Sequence, residues 1–230
     1  MHWHLTELMA EVPESRPLAS ATSINPTAGH HVITADAREL SASERAGDRS
    51  WSAWTYYARR YGERGRMFTR SDSAWIATLG SYPASVVDRQ ISWLASVLAL
   101  RGMPRLLLEE HLRVFHEELI AAVPERASEY VVLLQAADRL GAERDASMPE
   151  RTLTALETRF REQLNGAGED DLRAGALIGA AIADEQAGVP RAVESLMEWL
   201  ADPARFSAAW VAAVEQTLDD ARRSAAKRAQ

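Results

Sequence analysis

Residues 84–122 read ASVVDRQISWLASVLALRGMPRLLLEEHLRVFHEELIAA, and this stretch decides the fold class. In its first half Val87, Ile91, Leu94 and Leu98 recur at 4-3-4 spacing, the signature of one apolar helical stripe. Val86, Trp93, Val97 and Leu100 draw a second stripe well over a right angle away. A helix apolar on two sides is packed on two sides, which predicts a helix over 84–101 at the centre of the fold. In the second half Leu108, Leu112, Phe115 and Leu119 form a single stripe, predicting a helix over 104–122 that folds back antiparallel across the Gly102 corner.

Working outward, the same period predicts helices over 51–63, 72–80, 125–142, 149–165, 170–186, 190–200 and 204–227. Two joints look alike, Arg101-Gly102-Met103-Pro104 and Ala187-Gly188-Val189-Pro190. In each, glycine fits the left-handed conformation that closes a helix and proline opens the next. Ser147-Met148-Pro149-Glu150 has the spacing of a capping box, and Asp202-Pro203 sets a capping carboxylate before a first-turn proline. In the last helix Val211, Val214 and Leu218, with Trp210 beside them, predict docking.

Upstream, residues 11–50 are rich in Pro, Ser, Thr, Ala and Gly and lack a sustained apolar period. The expected organisation is an extended or weakly ordered arm over 1–50 and a helical domain over 51–230, with any subdivision near 141–149. Within the arm His30-His31-Val32-Ile33-Thr34 fits one short strand with no readable partner. The fold class is therefore all-α, a multi-helix bundle or orthogonal helical array.

Composition narrows the chemistry. The 230 residues carry a formal charge of −7, which argues against wholesale nucleic-acid binding. The absence of cysteine removes thiolate nucleophiles, thiolate zinc sites and cysteine-held iron–sulfur clusters. Lys227 is the only lysine, so lysine-based catalysis has no core residue to use. No apolar run approaches the ~20 residues of a membrane span, and the N-terminal MHWHLTELMAEVPES reads as no secretory signal, which makes the cytoplasm the expected location.

No phosphate loop, nucleophile elbow, dinucleotide-binding glycine pattern or H-E-x-x-H occurs, so no catalytic residue is assigned. His111 and His116 project about 140° apart on the 104–122 helix and cannot grip one ion together. Either one fits single ligation of haem or another tetrapyrrole, or of a metal, with Phe115 nearby for ring packing. Glu109, Glu110, Glu117 and Glu118 surround them, but the Glu-x-x-His pairs of a di-iron bundle are missing. His2, His4, His30 and His31 make at most a loose metal site, and Glu169-Asp170-Asp171 reads as a helix start, so no metal is assigned.

The segment 56–70, YYARRYGERGRMFTR, holds five arginines against one glutamate, interleaved with aromatics. Arg59, Arg60, Arg64 and Arg66 with Tyr57 and Phe68 are the candidate partner-binding residues, since guanidinium forks suit carboxylates and phosphates alike. The same pattern fits a helix end whose Trp54, Ala58 and Tyr61 face the core, and Trp51, Trp54, Tyr57 and Tyr61 fit core packing better than an aromatic cage. The reading that follows is a non-enzymatic helical binding protein, a regulatory or adaptor partner of another protein or of a second copy of itself. Two alternatives stand beside it: a tetrapyrrole- or metal-binding sensor or redox protein using His111 or His116, and nucleic-acid binding through 56–70.

Overall fold

The computed structural model describes residues 16–164 and 172–228. It begins with a small antiparallel hairpin in which β1 (Leu18–Ser20) pairs with β2 (Val32–Thr34), Ala19 opposite Ile33. The helices follow as α1 (Ala37–Ala53), α2 (Thr55–Thr78), α3 (Ala84–Ala99), α4 (Arg105–Ala122), α5 (Ala127–Ser147), α6 (Glu150–Gln163), α7 (Ala174–Gln186), α8 (Ala192–Leu200) and α9 (Ala208–Arg228). The all-α array expected from the apolar periods is what the chain forms, and no helix among the described residues is long and apolar enough to cross a membrane.

The central helix is α4 rather than α3. Its Leu108, Leu112, Phe115 and Leu119 enter one core with α1, α3, α5 and the end of α2, while Leu106 and Leu107 enter a second core with α6 to α9. α3 buries Val87, Ile91 and Leu94 as expected, but its second stripe is only partly covered: Val86 and Val97 are half-buried, while Trp93 is 59% and Leu100 44% exposed. The two-sided burial expected of α3 belongs to α4, which lies between the two cores. The second core also recruits Trp51, Trp54, Tyr56 and Tyr57 from far upstream, so the chain crosses between the cores more than once.

α7 is buried on every side from Ala174 to Asp184, as its sequence AGALIGAAIAD allows, because small side chains admit neighbours all round. The final helix docks through Trp210 and Val214, as its spacing required. Gly102 and Gly188 close their helices with φ of 79° and 89°. Met103 N–H donates to the Leu98 carbonyl and Val189 N–H to the Asp184 carbonyl, the same six-residue closure at both joints.

Several boundaries differ from expectation. Of the arm expected over 1–50, residues 1–15 lie outside the described residues, while 37–50 form most of α1. This helix is capped by Asp36, whose carboxylate accepts the Arg38 N–H at 2.9 Å. Between the buried Glu39 and Trp51 at its two ends, its buried face is Ala42, Ser43, Ala46, Gly47 and Ser50, small residues without a hydropathic signal. The strand at Val32–Thr34 has a partner after all, in a segment too short to show alternation. The gap expected between 63 and 72 is helical, and the break falls at Gly62, whose φ of 54° kinks α2.

The capping box at Ser147 does not form, since Ser147 is still in α5 and Pro149 is the residue before α6. Neither second proline lies inside a helix: Pro104 precedes α4, and α8 starts after Arg191 at φ 63°. Asp202 caps a turn at Ala204 N–H, and Ser207 caps α9 through Trp210 N–H.

Three buried ion-pair clusters tie the layers together. Glu39, fully buried on α1, accepts hydrogen bonds from Arg16 at 3.0 Å, Arg126 at 3.1 Å, and the hydroxyls of Thr34 and Tyr130. Asp184 of α7 accepts the Arg105 backbone N–H and Nε, each at 2.9 Å, and Glu109 of α4 takes Arg144 of α5 at 3.0 and 3.2 Å. Each joins two or more elements, and each is saturated, the condition under which a buried charge is tolerated.

Candidate functional site

Between α2, α3 and α4 lies a largely apolar cavity of about 150 Å³, open on one side to solvent. That is about the size that accepts benzene. The kinked α2 supplies Tyr57, Tyr61, Phe68, Asp72 and Ile76; α3 and its closing turn supply Leu94, Leu98 and Arg101; α4 and the residue before its proline cap supply Leu108, His111 and Met103. The Gly62 kink separates the two tyrosines at the start of α2 from Phe68 and Asp72 further along, and all four line the same space.

His111 forms the polar part of the floor. Ser50 Oγ lies 2.9 Å from its Nδ1 and Ser73 Oγ 2.8 Å from its Nε2, and its ring stacks on Phe115 with centroids 5.8 Å apart. Burial lowers its pKa to about 4, so the imidazole is neutral near pH 7. Both ring nitrogens are engaged, and a bond from either to iron or another metal requires one of these hydrogen bonds to break. His116 sits apart, half-buried, with burial lowering its pKa against the opposing pull of Glu117.

Most polar groups lining the cavity are likewise occupied. Tyr61 OH donates to the Arg101 carbonyl at 3.0 Å, Tyr57 OH lies 3.4 Å from the Leu107 carbonyl, and Ser73 Oγ donates to the Thr69 carbonyl at 2.7 Å. Thr69 Oγ1 donates to the Gly65 carbonyl and accepts Trp51 Nε1. Two charged groups differ. Among the described residues neither the Asp72 carboxylate nor the Arg101 guanidinium is in a hydrogen bond or ion pair. Burial pushes the Asp72 pKa up to about 6 although Arg101 is near enough to pull it down.

The structure thus brings together three of the candidate partner- and cofactor-binding residues, Tyr57, Phe68 and His111, with Tyr61 beside them. The other candidates lie elsewhere. Arg60 points inward, donating to Tyr56 OH at 2.6 Å and the Ser195 carbonyl at 2.8 Å, with its guanidinium over Tyr61 and Trp199. Arg59 lies over Phe206, Arg64 over Phe68, and Arg66 over Trp51 while pairing with Asp48. These arginines rest largely on the chain's own rings and carboxylates. Trp51, Trp54 and Tyr57 are core residues, Trp51 and Tyr57 stacked at 5.5 Å.

Sequence reasoning missed Asp72 and Arg101. Their signal was weak, a lone carboxylate in Ser71-Asp72-Ser73 and an arginine in a glycine joint. Among the described residues no group of three or more His, Asp or Glu stands together to hold a metal. His2, His4 and the Glu169-Asp170-Asp171 run lie outside the described residues. Comparison with protein-family models, with curated proteins and with solved structures found no match.

Proposed function

We propose that this chain is a non-enzymatic helical binding protein that senses a small, largely apolar molecule in the cavity between α2, α3 and α4. The observation that carries the reading is the contrast within one cavity wall: the hydroxyls and the imidazole are hydrogen-bonded inside the protein, whereas Asp72 and Arg101, though near each other, form no hydrogen bond or ion pair among the described residues. A perturbed carboxylate in a largely apolar cleft is a ligand-site candidate on physical grounds. Binding is favoured over turnover because both histidine nitrogens are engaged and the two hydroxyls that engage them, of Ser50 and Ser73, are buried with it, Ser73 Oγ already donating to the Thr69 carbonyl. The cavity falls below the roughly 300–1,000 Å³ of sites for drug-sized ligands, which favours a small molecule over a tetrapyrrole.

A regulatory role is supported by the placement of α3. Its inner face lines the cavity through Leu94 and Leu98, while its outer face exposes Trp93 and Leu100. A shift of this helix on ligand binding would be felt by a protein docked on that outer stripe, whether another protein or a second copy of the chain.

The test is thermal denaturation with benzene or indole as probe. At about ten times Kd, either probe is expected to raise Tm by roughly 2–4 °C. Leu98→Trp, which fills the cavity, should abolish the shift, and Trp93→Ser, on the opposite face of α3, should leave it intact. A shift unaffected by Leu98→Trp, or no saturable shift at all, removes the proposal.

A further inference from the structure

Resting on that reading of the cavity, we infer that the ligand is a free α-amino acid with an apolar side chain, its ammonium held by Asp72 and its carboxylate by Arg101. Charge complementarity selects it. Among the groups that line the cavity, the imidazole is neutral and hydrogen-bonded on both nitrogens, and the phenols of Tyr57 and Tyr61 and the hydroxyls of Thr69 and Ser73 are engaged within the protein. What remains is one carboxylate and one guanidinium, without an ion pair between them, on walls otherwise made of Phe68, Ile76, Leu94, Leu98 and Leu108. A cation would answer Asp72 and leave Arg101 to solvent at the rim, and an anion would answer Arg101 and leave the half-buried Asp72 unmatched. A zwitterion satisfies both.

The arrangement also orients the ligand. Arg101 is exposed and Asp72 only partly so, which places the carboxylate of the amino acid at the rim and its ammonium further in. The guanidinium fork suits bidentate contact with a carboxylate, and aspartate accepts from an ammonium. The apolar volume then receives the side chain, and a cavity of about 150 Å³ suits one the size of leucine, methionine or phenylalanine.

The experiment is calorimetric titration of the intact chain with L-leucine, with L-leucinamide, which keeps only the cation, and with N-acetyl-L-leucine, which keeps only the anion. Leucine is expected to bind at least about tenfold more tightly than either analogue, the loss of one charged hydrogen bond in each case. Asp72→Asn should weaken leucine to the same degree and leave N-acetyl-leucine unchanged; Arg101→Gln should weaken leucine and leave leucinamide unchanged. Leucine binding no more tightly than its two analogues, or weakened by neither substitution, overturns the inference. Benzene binding separates the two levels of the account. If both variants still take up benzene while wild type ignores leucine, the cavity reading stands and the amino-acid inference falls. If benzene does not bind either, both fall.

Discussion

Glu39 and Asp72 are both carboxylates set into helices of the same small protein, and their surroundings could hardly differ more. Glu39 is met by two guanidiniums and two hydroxyls, which join the segment before β1, β2, α1, the turn after α4, and α5 at one point. Asp72 faces a cavity and accepts no hydrogen bond from any described residue. A saturated buried charge holds a fold together, because removing it strands its partners. A half-buried carboxylate with no such partner among the described residues is costly to ionise in the free protein, and it persists where a ligand supplies what is missing.

The comparison is broken most readily at the saturated end. Glu39→Ala leaves Arg16 and Arg126 without their shared carboxylate, and chemical denaturation should register a loss of about 3–5 kcal/mol. A loss below about 1 kcal/mol would show that the cluster is not structural.

Next in size is the imidazole that bridges Ser50 and Ser73. Its pKa of about 4 in the fold lies below the 6.5 of a free histidine, so the unfolded chain binds the extra proton between these values. Its contribution is complete above pH 6.5 and shrinks as pH falls toward 4, by up to about 3 kcal/mol. NMR of the His111 ring should find it neutral until about pH 4, and titration near pH 6.5 would contradict the buried, doubly bonded placement.

Asp72 runs the other way. Its pKa of about 6 lies above the usual 3.8, so the fold favours the protonated form, and the stability this gives below pH 3.8 is lost as pH rises through 6. Asp72→Asn should therefore be more stable than wild type by about 1–2 kcal/mol at pH 7, with the advantage gone near pH 3.5. A substitution that strengthens the fold while weakening leucine binding is the pattern of a functional residue rather than a structural one.

The smallest effect belongs to the arginine segment. Arg66 pairs with Asp48 at the exposed end of a half-open stack on Trp51. Arg66→Ala should change stability by less than about 1 kcal/mol in urea denaturation.

Much of the fold was legible because α3, α4 and α9 carry large side chains at helical spacing, and because Gly102 and Gly188 had one obvious use. α1 was not, since between Glu39 and Trp51 its buried face is Ala42, Ser43, Ala46, Gly47 and Ser50. These residues pack a helix closely by being small, and smallness has no hydropathy. Their recurrence at three- and four-residue steps behind Asp36 was the available clue. The exposed stripe of α3 was misread for a related reason: Trp93 and Leu100 carry the signature of burial whether or not the fold provides a neighbour.

Of the site, Tyr57, Phe68 and His111 were visible as residue types, though for other roles. Asp72 and Arg101 were not visible, because what distinguishes them is that neither meets a hydrogen-bond or ion-pair partner among the described residues, and that is a property of the folded chain. The charge of Arg59, Arg60, Arg64 and Arg66 was legible, and the rings of Phe206, Trp199, Phe68 and Trp51 that they lie over were not; Arg60 turns inward, while Arg59, Arg64 and Arg66 stay exposed.

The most direct check on the cavity is NMR of the protein labelled with carbon-13 at the methionine methyls, titrated with benzene. Met103 lines the space, and Met148 lies in the second core. The account predicts a saturable shift of the Met103 methyl while Met148 stays in place; a Met103 signal that does not respond, or one that moves no more than Met148, would contradict it.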